Sequence, residues 1–392
     1  MPFLLVRRKG AAAVFGCVGF ILIGWSGLLV PSLIRSIELD FGKTDGDMGL
    51  FYFLYAVSYA TGSFGGGLLT ERLGRRTVLG LALAVHAFGF AGLAGAPVWP
   101  LFLLAAIPAG LGGGEIDGGV NGLFLDLFPN NRGRGLSALH LFYGVGALLS
   151  PLFVGLLVEA GVAWQAIVLV TAVVMLPVAL LYTVTDMPTG HHEVAETGSR
   201  IRVGFALPLV ALAIAISCYV ASEVGVSSWL VQFLADAPLR LATGALSLFW
   251  LGLTLGRLTS AVAGDRFDHL RFAVIASVVS GLALFGAVAV PDLTVSVVLL
   301  TVVGFAFGPV YPLIMTVAGE RFPGRTAAVS GLLSGSAVVG GTLYPPVMGF
   351  LSVTVGLGVA MVGAGVLAVA AAGALLLVRW PARGEAAVGS EA

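Results

Sequence analysis

Apolar residues run along the chain in stretches of about twenty, each broken by a short cluster of charged, proline or glycine residues. A helix crossing a hydrocarbon core about 30 Å thick needs roughly 20 such residues, so each stretch predicts a membrane-spanning helix. The breaks place spans near 11–34, 47–69, 77–96, 99–127, 134–158 and 163–184, then near 204–234, 242–263, 270–290, 293–318, 326–352 and 355–378. One long polar stretch, Thr185 to Arg202, separates the two sets. The pattern predicts an all-α membrane protein of about twelve transmembrane helices in two six-helix bundles. The N-terminal bundle is expected over 1–190, a cytoplasmic linker over 191–203, the C-terminal bundle over 204–380 and a cytoplasmic tail over 381–392. Arg7, Arg8 and Lys9 precede the first run as in a signal peptide, but no small-residue cleavage site followed by a soluble domain appears. An uncleaved first span is therefore expected.

Charge then orients the spans. Arg7, Arg8, Lys9, Arg72, Arg75, Arg76, Arg132, Arg134, Arg200, Arg202, Arg266, Arg271, Arg321, Arg325, Arg379 and Arg383 fall on one side, and only Arg35, Lys43 and Arg240 on the other. Short cytoplasmic loops retain Lys and Arg, so sixteen against three puts both termini and the linker in the cytoplasm of a cell whose inner (plasma) membrane holds the chain. The sequence also repeats. Glu71-Arg72 recurs as Asp265-Arg266, Asp126 as Glu320, Phe128-Pro129 as Phe322-Pro323, Pro151 as Pro345 and Gly155 as Gly349, each 194 positions later. Parallel repeats of six spans place a solute site between the halves near the midplane, which argues for a carrier.

Composition narrows the classes further. The chain is 58% hydrophobic and 10% charged, against about 25% charged in an average soluble domain. Net charge is zero and no long basic block offers a nucleic-acid surface. Cys17 and Cys218 both fall inside predicted spans, which gives a disulfide framework no support. No nucleophile-base pair, metal cluster or cofactor motif is visible, so an enzyme is not expected, and neither is a cofactor beyond a coupling ion, H+ or Na+.

The stretch Gly67-Leu-Leu-Thr-Glu71-Arg72-Leu-Gly74-Arg75-Arg76 resembles the signature loop between the second and third helices of the major facilitator superfamily. That resemblance implies the two-bundle fold, alternating access and a cytoplasmic gate. In such a gate Glu71, Arg72, Arg75 and Arg76 work with Asp126, and the degenerate copy Asp265-Arg266 works with Glu320. A narrower resemblance runs through Gly110-Leu-Gly112-Gly-Gly114-Glu115-Ile-Asp117-Gly-Gly-Val-Asn121, Leu139-His140-Leu-Phe-Tyr143-Gly-Val-Gly-Ala147, Tyr219-Val-Ala-Ser-Glu223 with Trp229, and Phe307-Gly308-Pro309-Val-Tyr311-Pro312. These are similar to the fucose, galactose and glucose symporter family and its sodium-dependent glucose transporter branch, which implies monosaccharide uptake driven by protons or sodium. Glu115 falls where the fucose symporters have a proton-carrying glutamate, while Gly27 stands where they have an aspartate.

Ionisable groups inside spans carry the candidate chemistry. A charge at the bilayer centre costs about 2.5–3.5 kcal/mol or more, so it faces a cavity or a partner. Glu115 and Asp117 are two apart, about 200° around a helix, and point different ways; Asp117 and Asn121, four apart, share a face. Glu223, with Trp229 six residues on, offers a carboxylate for hydroxyl groups and an indole for the apolar face of a pyranose. Its repeat partner is the apolar Leu29. Trp25 and Trp250 are weaker solute candidates, being equally suited to interfacial belts. His140 is either a proton relay or a neutral hydrogen-bonding residue, and His86 is expected to be structural. Arg257 is the one positive charge inside a span: a counter-ion, an anion ligand, or a side chain snorkelling to the interface. Gly112 to Gly114 reads as close helix packing, since no Lys-Ser or Lys-Thr follows as in a phosphate loop.

Together these point to a secondary symporter for a sugar or similar small polar solute, coupled through Glu115, Asp117 or Glu223. Gly146 through Ser150-Pro151 to Gly155 partly resembles the helix-five motif of drug-proton antiporters, which keeps a proton-driven exporter of amphipathic compounds as the alternative. A membrane sensor that binds without moving solute is a third reading. By analogy with the architecture, a monomer in a lipid bilayer is expected.

Overall fold

A computed structural model describes residues 2–129, 131–187, 207–263 and 266–378. The linker over 191–203, the tail over 381–392, and Asp265 lie outside the described residues. The twelve expected spans appear as fourteen helices, because two of them are broken. The first is divided at Leu28 into α1 (Pro2–Gly27) and α2 (Leu29–Phe41). The tenth is divided at Gly308-Pro309 into α11 (Leu293–Phe307) and α12 (Val310–Arg321), where proline has no N–H to continue the ladder. The others are α3 (Asp45–Leu73), α4 (Arg75–Gly95), α5 (Trp99–Leu127), α6 (Arg132–Glu159), α7 (Trp164–Val184), α8 (Leu207–Phe233), α9 (Leu239–Ala263), α10 (His269–Ala289), α13 (Thr326–Val355) and α14 (Leu357–Leu377). Among the described residues, 11 spans are long and apolar enough to cross a membrane, with α1 and α2 read as one and α11 and α12 as another. The remaining one is α3, which opens on Asp45 and Asp47 and ends on Glu71 and Arg72.

The sequence repeat is a repeat of structure. Arg75–Gly95 and His269–Ala289 begin and end 194 positions apart, as do Trp99–Leu127 and the α11–α12 pair Leu293–Arg321. Local chemistry fixes the boundaries. Thr44 and Asp47 form a capping box on α3, and Gly42 ends α2 at a φ of 60°. Asp268 caps α10 by accepting from the Arg271 amide at 2.7 Å, and Asp292 caps α11 by accepting from the Val295 amide at 2.9 Å.

The chain forms two compact units. The first joins Met1–Glu193 to Leu230–Ser247, and the second joins Val194–Trp229 to Leu248–Ala392. The division therefore departs from a cut at the linker, because the end of α8 and the start of α9 pack with the N-terminal helices.

Glycines set the helix packing in both units. In the first, Gly110, Gly114 and Gly118 of α5 lie against the backbone of Tyr55, Tyr59 and Ser63 on α3, while Gly112 faces Ala82 and His86 on α4. In the second, Gly304 lies against Phe249 of α9, and Gly256 of α9 against Phe305 of α11. Without a side chain, the backbones approach closely, and dispersion contacts replace the hydrophobic drive that lipid does not supply. Phe20, Leu79, Ile116, Val120, Leu123 and Tyr182 fill the first unit's core.

Candidate functional site

At the arginine-rich end of the first unit, Gly74 joins α3 to α4 with a φ of 79°, a conformation that favours glycine. The turn presents Arg75 at the start of α4 to Asp126 at the end of α5, with Arg75 Nη2 2.7 Å from Asp126 Oδ2. Arg75 is 4% exposed. The contact is an ion pair without good hydrogen-bond alignment, since Asp126 Oδ2 has no directed donor. Arg72 and Arg76 are exposed, and the Glu71 side chain lies outside the described residues. In the second unit Glu320 accepts from His269, Nδ1 to Oε1 2.7 Å, where Asp265 and Arg266 were the expected partners. Arg266 itself is exposed.

Deeper in the first unit, the two carboxylates of α5 differ in their surroundings. Asp117 accepts from Asn121 Nδ2 at 3.0 Å and from the Tyr59 hydroxyl on α3. Glu115 lies against Gly66 of α3, and its Oε1 is buried with no hydrogen-bond partner among the described residues. Their separation around the helix, expected from two-residue spacing, is what sends one into a network and leaves the other without one. His86 is fully buried with both nitrogens engaged, Nδ1 to the Ala109 carbonyl at 2.6 Å and Nε2 to Ser26 Oγ at 2.8 Å. It is a satisfied packing residue. On α6, His140 and Tyr143 sit one turn apart, both edge-on to Phe20 of α1. Trp25 donates from Nε1 to Thr171 Oγ1 at 3.1 Å and is half-buried against Phe153.

In the second unit, Glu223 stands mid-way along α8, 8% exposed. The Tyr219 hydroxyl, one turn earlier, donates to Oε2, and Arg257 Nη2 of α9 stands 3.6 Å from Oε1. Arg257 thus turns toward this carboxylate and does not snorkel. Its side chain is 25% exposed. Trp229, expected as a solute platform, is fully buried in this conformation, and its indole N–H donates to the Pro345 carbonyl at 2.9 Å. Trp250 is buried as well and donates to Ser227 Oγ at 2.9 Å. Tyr311 on α12 is half-buried, with its hydroxyl 3.5 Å from Ser334 Oγ.

A further polar cluster holds the end of α8 to the N-terminal helices. Arg35 of α2 donates from Nη1 to the Ala237 carbonyl at 2.8 Å and from Nη2 to the carbonyls of Val231, at 2.5 Å, and Leu234. Gln232 Nε2 donates to both Glu38, at 2.9 Å, and Asp45, at 2.8 Å. Arg35 was visible in the sequence only as one of three positive charges on the sparse side. Nothing in the pattern singled out Glu38, Asp45 or Gln232, because their partner lies almost two hundred residues away.

A model of the Major Facilitator Superfamily matches residues 14–244 and 203–392. The chain belongs to this superfamily. A gentisate transporter of Corynebacterium glutamicum is 25% identical over 88% of this chain and 81% of its own length. A glucose/galactose transporter of Brucella abortus is 26% identical over 84% of each. Among solved structures, a D-xylose-proton symporter superposes with a TM-score of 0.76 at 16% identity, covering 93% of this chain and 96% of that one, and shows the shared fold. As a member of the superfamily the chain is a multi-pass membrane transporter of small solutes, not an enzyme.

Proposed function

We propose that this transporter is a symporter that couples uptake of a sugar or similar polyhydroxylated solute to protons, with both termini in the cytoplasm and Glu223 as the coupling carboxylate. The observation that carries the reading is the triad of buried Glu223 and Tyr219 with half-buried Arg257. A carboxylate so removed from water is held by one cation and one hydroxyl. Adding a proton to Glu223 makes it neutral, which lowers the cost of enclosing it and frees Arg257 and the Tyr219 hydroxyl for a solute. The glucose/galactose transporter among its relatives supports the solute class. Sodium is the alternative ion, acting by coordination in place of protonation.

A second reading rests on Arg257. A guanidinium released by protonation of its partner is a natural ligand for a carboxylate, which would make the solute a small organic anion. The gentisate transporter among the relatives favours this.

Both are tested by uptake of labelled glucose, galactose and gentisate into proteoliposomes under an imposed pH or sodium gradient. Accumulation of a hexose driven by the pH gradient supports the proposal; accumulation of gentisate alone selects the second reading. Accumulation driven by sodium alone refutes proton coupling. Glu223→Gln keeps size and removes titration, so it should abolish gradient-driven accumulation while leaving exchange between two solute pools partly intact. Normal accumulation in this variant would remove Glu223 from the mechanism.

A further inference from the structure

The two ion pairs at the arginine-rich end are copies of one another. Position 75 plus 194 is 269 and position 126 plus 194 is 320, so Arg75–Asp126 and His269–Glu320 occupy equivalent places in the repeat. Both pairs join the first residue of a 21-residue helix, α4 or α10, to the end of the following span. Each has a nitrogen 2.7 Å from a carboxylate oxygen. The carboxylate lengthens from Asp126 to Glu320, and a guanidinium, which does not lose its proton, is replaced by an imidazole, which does.

We propose that His269–Glu320 is the second unit's gate lock and that, unlike its copy, it is tuned by pH on the arginine-rich face. Attraction to Glu320 needs the imidazolium. It is present where the ring is protonated and is lost as rising pH removes that proton. A neutral ring keeps the hydrogen bond through an Nδ1–H tautomer but forfeits the charge. Besides Glu320, α12 brings Arg321, α13 opens after Arg325, and α10 itself carries Asp268 and Arg271, with Arg266 ahead of it. Of these Asp268 is already engaged by the Arg271 amide, which among the described residues leaves Glu320 as the carboxylate set against the ring. The lock's use in transport rests on the proposed orientation: if this face is cytoplasmic, protons delivered by symport tighten the lock that the next cycle must open, and the carrier restrains itself as the interior acidifies.

The lock itself is testable without a solute. Amide hydrogen exchange of the intact protein in nanodiscs, corrected for intrinsic rates, would be followed in the first turn of α10 and the last turn of α12 across the pH range in which the protein stays folded. Glu320 is 58% exposed, so the expected loss of protection on raising pH is modest, about two- to five-fold, as for surface ion pairs. Exchange at the start of α4 should show no such change. His269→Arg should make the α10 profile flat and protected, and His269→Gln flat and unprotected. A wild-type profile as flat as that of α4, or a slope that survives in His269→Gln, would overturn the proposal whether or not the transport reading holds.

Discussion

Removing the Arg35 guanidinium should unlatch the end of α8. The carbonyls at and just beyond a helix C-terminus have no intrahelical partners, and a cation there also meets the negative end of the helix dipole. Arg35 donates to three carbonyls in this stretch, on Val231, Leu234 and Ala237, the Leu234 oxygen also accepting from the Ala237 amide. Hydrogen bonds to a charged group contribute about 1.5–3 kcal/mol each, but three from one half-buried guanidinium are not independent, so Arg35→Ala should cost the latched state about 3 kcal/mol in all. That is roughly a hundredfold shift in equilibrium toward the unlatched state. Thr243 reports it: it is fully buried, against Gly155 of α6. In a background with Cys17 and Cys218 replaced by serine, Thr243→Cys should react with a maleimide slowly, and about a hundred times faster once Arg35→Ala is added. Arg35→Lys should fall between, since an ammonium lacks the planar fork that reaches several carbonyls. Equal labelling rates with and without Arg35 would refute the latch.

Two other outcomes follow from packing and charge. Asp126→Asn removes the charge set against the buried Arg75, at about 3 kcal/mol, the low end for breaking such a pair; unfolding temperature should fall and transport slow while solute binding stays detectable, and wild-type transport would remove the pair from the gate. Gly114→Ala places a Cβ on the Tyr59 carbonyl and should cost about 1–3 kcal/mol by thermal unfolding in detergent; Gly331→Ala, which meets open space, is the control, and equal behaviour of the two would contradict the close α3–α5 approach.

Periodicity, charge and the repeat made every span but the first legible to within a few residues, because hydrocarbon thickness constrains each apolar run. The breaks at Leu28 and Gly308-Pro309 were less visible, since an interrupted helix keeps its apolar composition. At the candidate site, one-helix relations were readable: Asp117 with Asn121, and Glu115 on another face. Between helices the superfamily resemblance pointed to Arg75 with Asp126, but most other relations were not readable. Arg257 reaches Glu223 across 34 positions, and Trp229 has the right residue type for a sugar platform yet spends its N–H on Pro345. Side-chain burial of that kind depends on which helix lies opposite, and no local pattern encodes it.

The repeat does, however, sort packing from chemistry. Gly62, Gly110 and Gly114 are matched 194 positions on by Gly256, Gly304 and Gly308, and both sets sit where two backbones nearly touch. A duplicated scaffold retains these residues because any side chain there would separate the helices. Glu115 is matched by Pro309, Asp117 by Tyr311, Leu29 by Glu223, Ser63 by Arg257, and Trp25 by Tyr219. Embedded charge is thus confined to positions where the halves disagree, and the disagreement is grouped: Glu223, its tyrosine and its arginine all stand in the second half where the first has Leu29, Trp25 and Ser63. A lone buried Glu223 would cost several kcal/mol, and a lone Arg257 as much, so neither is tolerable without the other. Packing alone is served as well by the apolar residue that Leu29 still supplies in the first half. Three mutually satisfying polar groups at positions where the first half does without them therefore call for a role that an apolar core does not fill, and the proposed exchange of the Glu223 cation for a proton is such a role.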